Sequence, residues 1–256
     1  MKEVREGEWI KAKYRVIKKF PFVIGTLYYT EYDRGQNELH TRFVHALDLH
    51  LFKKNLDTDS LLDRDEQVFF PISEVLIDEA KGQLFQVFRH LEGTLLAHYI
   101  RTQAPLSLRE TIRFGAKTVQ HLLRLYEFGQ FTLVHPQNMV LTSSGSLRFL
   151  YGGKCGELPK GLAGSSESNC QVDQMYDSYT IGILLYQMLT GRNPTALGLT
   201  IPPVSSCRND CPVELDQFVL KCLSLDIKKR PAVKDMAGFF DWMSEHLERR
   251  LGEKNE

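Results

Sequence analysis

The sequence lacks any long hydrophobic run. Its longest apolar candidate covers only residues 181–186, whereas a membrane-spanning helix needs about 18 apolar residues. The first residues carry charges of both signs and are not followed by an apolar stretch, which is not the pattern of a secretory signal peptide. We therefore expect neither a membrane span nor a signal peptide.

An excess of charge of either sign is also absent. The 256-residue chain has 32 Lys and Arg residues and 32 Asp and Glu residues, so its formal net charge is zero. This balance excludes a general electrostatic attraction to nucleic acid or to an anionic membrane. Hydrophobic residues make up 43% of the chain, which excludes an intrinsically disordered protein and allows one large domain or two smaller lobes.

Cysteine is scarce and shows no metal-binding pattern. The five cysteines are Cys155, Cys170, Cys207, Cys211 and Cys222. An odd number without a signal peptide is typical of a reducing compartment, so we expect a cytoplasmic protein. Cys207 and Cys211 form a C-x3-C pair, but no second pair or suitably spaced histidine accompanies it. We expect no zinc site there.

Three histidines recur at intervals of five, at His40, His45 and His50. Residues 42–52 read as a β-strand, and a spacing of five on a strand alternates between the two faces of the sheet. The three rings therefore cannot converge on one metal ion. We interpret them as polar positions on a partly exposed strand.

The first half of the chain favours β-structure. Aromatic and β-branched runs predict strands, and the polar, Asp-rich segment 53–67 predicts a loop or short helix. A hairpin is expected around residues 79–82. The predicted strands cover residues 14–20, 25–32, 42–52, 74–78 and 83–88.

The second half favours helices. An apolar stripe runs through residues 108–126, and Ser107 with Glu110 forms a capping box at its start. Short strands are predicted at 139–141 and 147–150, and a Gly- and Ser-rich loop at 154–172. Further helices are expected at 177–189 with Gly191 as its C-cap, from Pro212, and at about 233–251. This order of elements is typical of an α+β protein with two lobes.

Four segments together resemble a protein kinase. Residues 88–100 are similar to the hinge and the first helix of the C-lobe. The string V-H-P-Q-N-M-V-L at 134–141 resembles the second half of the catalytic loop. D-S-Y-T-I-G at 177–182, with its G-x-x-P exit, resembles the central helix, and L-S-L-D-I-K-K-R-P at 223–231 resembles the C-L-x-x-D-P-x-x-R-P segment.

The last two strings are the most specific, and the resemblance extends over residues 9–245. It implies a bilobal kinase-like fold, with an N-lobe at 1–88 and a C-lobe at 89–256. It also implies structural roles. In kinases the residue at Asp177 holds the backbone of the catalytic loop, and the residue at Arg230 pairs with the glutamate of an A-P-E string. No such string occurs between residues 153 and 177, so we expect Arg230 to find another partner or to face water.

The phosphate-binding loop of the family is degenerate here. Active kinases cover the phosphates with a glycine-rich loop. The matching residues 18–27 contain only Gly25, while Pro21 removes a backbone donor and Phe20 and Phe22 crowd the turn. We expect no backbone cradle for phosphate at this position.

The strand lysine of the family is also replaced. Leu47 or Asp48 occupies its position, and neither side chain can neutralise a phosphate. Lys53 and Lys54 are nearby cations that could approach from elsewhere. Glu66 is the candidate for the helix glutamate, but without the lysine we interpret it as a surface residue.

The catalytic loop and the metal-binding motif depart from the family as well. Leu133 stands where H-R-D has its aspartate, and His135 replaces the loop lysine. Tyr151 stands at the D-F-G aspartate, and a phenol with a pKa of about 10 is a poor magnesium ligand. Asn138 matches the magnesium-binding asparagine, and we interpret it as a relic that hydrogen-bonds within the loop.

These departures favour a catalytically inactive kinase-like protein, a pseudokinase that acts as a protein-binding or regulatory scaffold. It would need no metal or cofactor. Its partner would be another protein, such as an active kinase or its substrate, and not a nucleic acid.

Two alternatives remain open. An atypical active serine/threonine kinase would use relocated acidic groups such as Glu66, Asp48 or Asp173. A nucleotide-binding, non-catalytic regulator would contact ATP through the hinge backbone at Phe88, Arg89, His90 and Leu91. Binding of ATP and magnesium separates these alternatives from the first interpretation.

Overall fold

The computed structural model describes residues 3–33, 38–52, 56–158, 170–196 and 200–252. The chain divides into two compact units. The first unit contains Met1–Gly93, Gly129–Thr132 and Thr142–Glu167, and the second contains Thr94–Phe128, Leu133–Leu141 and Ser168–Glu256. The predicted α+β class is confirmed, because the first unit is rich in strands and the second in helices.

A six-stranded antiparallel sheet forms the body of the first unit. Its order is β1-β2-β3-β4-β6-β5, and all strands predicted from the first half of the sequence are present. The additional strand β1 escaped the prediction because two residues are too few to show an alternating pattern. The strands are β1 Trp9–Ile10, β2 Tyr14–Pro21, β3 Thr26–Asp33, β4 Leu39–Asp48, β5 Ile72–Asp78 and β6 Gln83–Phe88.

The two faces of this sheet bury different side chains. One face packs into an apolar cluster that includes Val16, Tyr28, Val44, Phe85 and Val87. Because side chains alternate along a strand, the intervening residues lie on the opposite face. That face is also buried, and it carries Leu27, His45, Leu47, Leu84 and Gln86.

The strand predicted for residues 42–52 is shorter than expected. It ends at Asp48, because Leu49–Leu51 form a 3₁₀ turn whose His50 N–H donates to Asp48 Oδ1 at 3.0 Å. His45 is completely buried, so the expectation of a partly exposed strand is wrong for this residue. His50 is exposed beyond the strand end. No group of three candidate metal ligands occurs among the described residues.

The Asp-rich segment after β4 forms turns and no helix in its described part, 56–67. Its buried side chains are Leu61 and Arg64. The backbone that follows is bound to strand β10, Leu147–Phe149, through Phe149 N to Val68 O at 2.8 Å. Two further short strands, β8 Gln130–Thr132 and β11 Gly152–Lys154, pair antiparallel in the same unit.

Five helices are described in the second unit. Ser107 caps α2 by accepting a bond from Glu110 N at 3.2 Å, as predicted. Strand β7, Thr94–Leu95, pairs with β9, Met139–Leu141. The helices are α1 Leu96–Gln103, α2 Leu108–Glu127, α3 Cys170–Thr190, α4 Val213–Cys222 and α5 Val233–Gly252.

Helix α3 begins seven residues before the predicted start at residue 177. The prediction extended the Gly- and Ser-rich loop to residue 172, whereas residues 170–176 contain no glycine or proline to prevent a helix. The rest of that loop falls largely on residues 159–169, which lie outside the described residues. Helix α3 packs against α4, and α2 packs against α5. None of the described helices is long and apolar enough to cross a membrane.

Candidate functional site

Tyr151, which the sequence analysis matched to the D-F-G aspartate, is completely buried in the first unit between β10 and β11. Its ring meets those of His45 and Phe131 edge-on, with centroids 5.6 Å and 6.3 Å apart. Burial raises the pKa of the Tyr151 hydroxyl well above its ordinary value, so the group is a neutral phenol at physiological pH. This position therefore presents no anionic oxygen to a cation.

His45 occupies the centre of the same buried face. It lies between Leu27 and Gln86 in the strand register, and its ring meets Phe22 edge-on at 4.8 Å. His45 Nε2 donates to the carbonyl oxygen of Ile24 at 2.6 Å. Burial lowers the pKa of His45 to about 4, which makes the imidazole neutral at pH 7. The residue was missed as a site residue because its sequence spacing indicated only an ordinary strand position.

The turn between β2 and β3 lies directly on β4. Gly25 has a φ of +77°, and a Cβ atom there would stand 2.1 Å from the carbonyl oxygen of Ala46. Only glycine tolerates both the backbone conformation and this approach. The Gly25 contact and the bond from His45 to Ile24 hold the turn against the strand.

Leu47 and Asp48, which the sequence analysis matched to the strand lysine, contribute no cation. Leu47 is completely buried and lies opposite Leu84 in the register. Asp48 accepts the N–H of His50 as the cap of the 3₁₀ turn. The other candidate cations, Lys53 and Lys54, lie outside the described residues.

Arg64 is a buried cation that sequence analysis did not single out. Its Nη2 donates to the carbonyl oxygen of Leu150 at 2.7 Å, and its guanidinium lies 4.4 Å from the centre of the Phe69 ring. Burial lowers the pKa of Arg64 to about 9, so it remains protonated at pH 7. Its Nε and Nη1 are buried without a hydrogen-bond partner among the described residues. A lone arginine in an Asp-rich segment gave no sequence signal for burial.

Glu66 and three of the four hinge residues are at least partly exposed in the first unit. Glu66 is exposed, 4.0 Å from the exposed Arg89 guanidinium. Phe88 is buried, while His90 is exposed and Leu91 is half-buried. The N–H of Arg89 donates to Pro71 O at 2.9 Å, so this hinge donor is already used.

In the second unit, a hydrogen bond joins Asn138 to Leu133. Asn138 is buried at the end of a 3₁₀ turn, Pro136–Asn138, and its Nδ2 donates to the carbonyl oxygen of Leu133 at 2.8 Å. His135 Nδ1 accepts the N–H of Gln137 at 3.2 Å, and burial lowers the pKa of His135. The side chain of Leu133 offers no group that could accept a proton.

Asp177 and Arg230 make buried polar contacts within the second unit. Asp177 Oδ2 accepts a bond from the hydroxyl of Tyr126 at 2.6 Å. Arg230 donates to the carbonyl oxygens of Ser224 and Met175, at 2.8 Å and 3.1 Å, and its guanidinium stacks 4.6 Å from the centre of the Tyr179 ring. These carbonyl groups are the partners that Arg230 was expected to need. The side chain of Asp173 lies outside the described residues.

Comparison with known proteins finds kinases among sequences and structures, although no family model matches. The chain is 23% identical to a probable serine/threonine-protein kinase PknB of Lactococcus lactis, over 89% of this chain and 41% of that protein. It is 27% identical to a probable serine/threonine-protein kinase pknA2 of Bifidobacterium longum, over 45% of this chain and 17% of that protein. The chain thus spans less than half the length of these relatives.

Among solved structures, the PknI kinase domain of Mycobacterium tuberculosis matches with a TM-score of 0.63 and 17% identity, over 93% of this chain and 99% of that domain. A point mutant of the same domain matches with a TM-score of 0.66, over 95% of this chain. At this level of identity the structural likeness concerns the fold alone.

His45 makes stability depend on pH. Its pKa is near 6.5 in the unfolded chain and about 4 in the folded protein, so the unfolded state binds the extra proton first. Stability should therefore fall between pH 6.5 and pH 4, by up to ~3 kcal/mol from this residue.

His45→Gln keeps a donor for the Ile24 carbonyl oxygen but removes the titration of the ring. Urea unfolding across this range should show a shallower loss for that variant, whereas His50→Gln, at an exposed position, should follow the wild type. Equal slopes for His45→Gln and the wild type would contradict the assignment.

Asp177→Ala should lower stability by about 1–3 kcal/mol, because it removes a buried acceptor and leaves the Tyr126 hydroxyl without it. Tyr126→Phe deletes only the hydroxyl and should cost less. Denaturant midpoints of both variants test this. An unchanged midpoint for Asp177→Ala would rule out a structural role for this carboxylate.

Proposed function

The chain has a protein kinase-like fold, and from this premise we propose that it is a catalytically inactive kinase-like protein, a pseudokinase, that works as a protein-binding or regulatory scaffold. The proposal keeps the division into an N-lobe at 1–88 and a C-lobe at 89–256 and a cytoplasmic location. It requires no metal ion and no nucleotide for the protein's role.

The observation that carries the proposal is the environment of Tyr151. Phosphoryl transfer depends on metal ions that neutralise developing charge, and magnesium prefers hard anionic oxygens. The residue that aligns with the metal-binding aspartate is a neutral, buried phenol packed on His45 and Phe131. A buried phenol packed on aromatic rings, with the Arg64 cation bonded to the carbonyl of the preceding Leu150, favours protein packing over metal binding.

The other aligned positions support the same conclusion. Leu47 is buried among strand side chains and cannot pair with phosphate. Leu133 cannot accept the proton of a substrate hydroxyl. The amide of Asn138 is bonded to the Leu133 carbonyl. Each such group is worth orders of magnitude in rate in an active kinase, so the effects of several replacements compound.

The retained kinase-like fold supports a binding role. The fold is retained at low sequence identity to kinases, and the aligned catalytic positions are filled by side chains that pack. We propose that selection has preserved surfaces of the two units for another protein, such as an active kinase or its substrate.

An active serine/threonine kinase is the second candidate, and the names of the relatives favour it. It would require relocated groups. Of the candidates within the described residues, Glu66 is exposed beside Arg89, and Asp48 caps a turn. A nucleotide-binding regulator is a third candidate, and it would have to use the hinge without the N–H of Arg89, which is bonded to Pro71.

Transfer of labelled phosphate from ATP to protein substrates, in the presence of magnesium, tests the proposal. We expect none from the wild type. Because Leu47 supplies no lysine, we also expect none from Leu133→Asp combined with Tyr151→Asp. Circular dichroism should verify folding, and Leu133→Asp alone serves as the variant that leaves the buried Tyr151 in place. Magnesium-dependent transfer by the wild type would overturn the proposed function, and transfer by the folded double variant would overturn the account of the site.

A further inference from the structure

A rigid turn of the second unit, between α4 and α5, exposes large apolar side chains. Leu225 is 80% exposed and Ile227 is 52% exposed. Leu225 is the most exposed large hydrophobic residue in the described part of the chain. Exposed apolar side chains that occur singly need no explanation, but two on one short turn indicate an interaction surface.

Backbone and side-chain bonds fix the shape of this turn. The N–H of Asp226 donates to Ser224 Oγ at 3.2 Å, and Asp226 Oδ1 accepts the N–H of Lys228 at 3.1 Å. Lys229 N donates to Asp226 O at 3.1 Å. Arg230 bonds to the carbonyl oxygens of Ser224 and Met175, which ties the turn to α3. A preformed turn loses little conformational entropy when it binds a partner.

Positive charge surrounds the apolar side chains. Lys221, Lys228 and Lys229 are exposed, and no ion pair joins any of them to a carboxylate among the described residues. Asp226 is the acidic residue within the turn, and its carboxylate is engaged with the backbone of Lys228. The surface therefore combines two apolar side chains with three cationic groups.

A shallow, solvent-open depression adjoins the turn. It has a volume of about 290 Å³ and is lined by Gln217, Leu220, Lys221, Ser224 and Lys229, with no acidic residue among them. Ser224 and Lys229 belong to the turn that also carries the exposed Leu225 and Ile227. A depression of this size can receive a side chain of a partner protein.

We propose that the α4–α5 surface, formed by Leu220, Lys221, Leu225, Ile227, Lys228 and Lys229, binds an acidic segment of a partner protein that carries apolar side chains next to its carboxylates. The lysines attract the acidic groups, and Leu225 and Ile227 lose their exposure to water in the complex. The shallow depression beside the turn offers a peptide side chain contacts with Leu220 and Gln217. This inference names the class of partner for the proposed binding role. It rests on the proposed function only for the claim that the protein does not phosphorylate the bound segment.

Selection of a displayed library of random 12-residue peptides on the immobilised full chain tests the surface. We expect selected peptides to combine Asp or Glu with Leu, Ile or Phe. The best peptide, labelled with fluorescein, then allows affinities to be measured by fluorescence anisotropy, and its binding should weaken as salt is raised.

Two paired substitutions should each weaken this binding by at least about tenfold: Lys228→Glu with Lys229→Glu, and Leu225→Ser with Ile227→Ser. All four side chains are exposed, so folding should be retained. Lys117→Glu on α2 and Val213→Ser at the start of α4 alter exposed residues elsewhere in the same unit and should bind within about twofold of the wild type. Selected peptides without acidic residues, no selected peptide at all, or unchanged affinity of the paired variants would overturn the proposal.

Two further experiments distinguish a membrane partner and an active kinase from the proposed partner. Sedimentation with phosphatidylserine–phosphatidylcholine vesicles that depends on the same lysines, without peptide binding, would overturn the protein partner in favour of a membrane. Incubation of the selected peptide, redesigned to contain serine, with ATP and magnesium should leave it unmodified. Phosphate transfer to this peptide would overturn the proposal that the protein is inactive, but it would leave the proposed binding surface standing. Failure of peptide binding, without phosphate transfer, would overturn only the proposed binding surface.

Discussion

The structure of the first unit depends on the burial of two polar rings at the face of the six-stranded sheet that carries His45. His45 and Tyr151 are both completely buried, and both are kept uncharged by the loss of solvent. The bond from His45 to Ile24 and the close approach of Gly25 to Ala46 draw the β2–β3 turn onto the same strand. The turn that the sequence analysis matched to the glycine-rich loop is thus packed within the unit.

The second unit retains a kinase-like arrangement for different physical reasons. Near α3, Asp177 accepts a bond from the Tyr126 hydroxyl, and Arg230 donates to the backbone carbonyls of Ser224 and Met175. These bonds stabilise the unit whichever chemistry the protein performs. Arg230 also fixes the turn that exposes Leu225 and Ile227. A residue that stabilises the fold can therefore also fix the shape of the surface for which we propose a binding role.

Much of the fold was predictable from local patterns. Aromatic and β-branched runs identified β2 to β6, and a helical stripe with its Ser107 cap identified α2, because these signals arise within a few neighbouring residues. The two-residue β1 and the early start of α3 left no comparable signal. Burial of His45 and Arg64 depends on contacts with residues distant in the chain, Tyr151 and Leu150 among them, which spacing alone cannot reveal. Alignment did identify Tyr151, but not the aromatic environment that keeps its phenol neutral.

The central claim is that the positions aligned with the nucleotide-binding groups are filled by packed, uncharged side chains. The melting temperature of the full chain with and without millimolar ATP and magnesium tests it most directly, because a ligand that binds only the folded state must raise that temperature. We expect ATP to leave the melting temperature unchanged, whether or not magnesium is present. A magnesium-dependent rise would contradict it by requiring a metal–nucleotide site, and a rise without magnesium would contradict it in favour of a nucleotide-binding regulator.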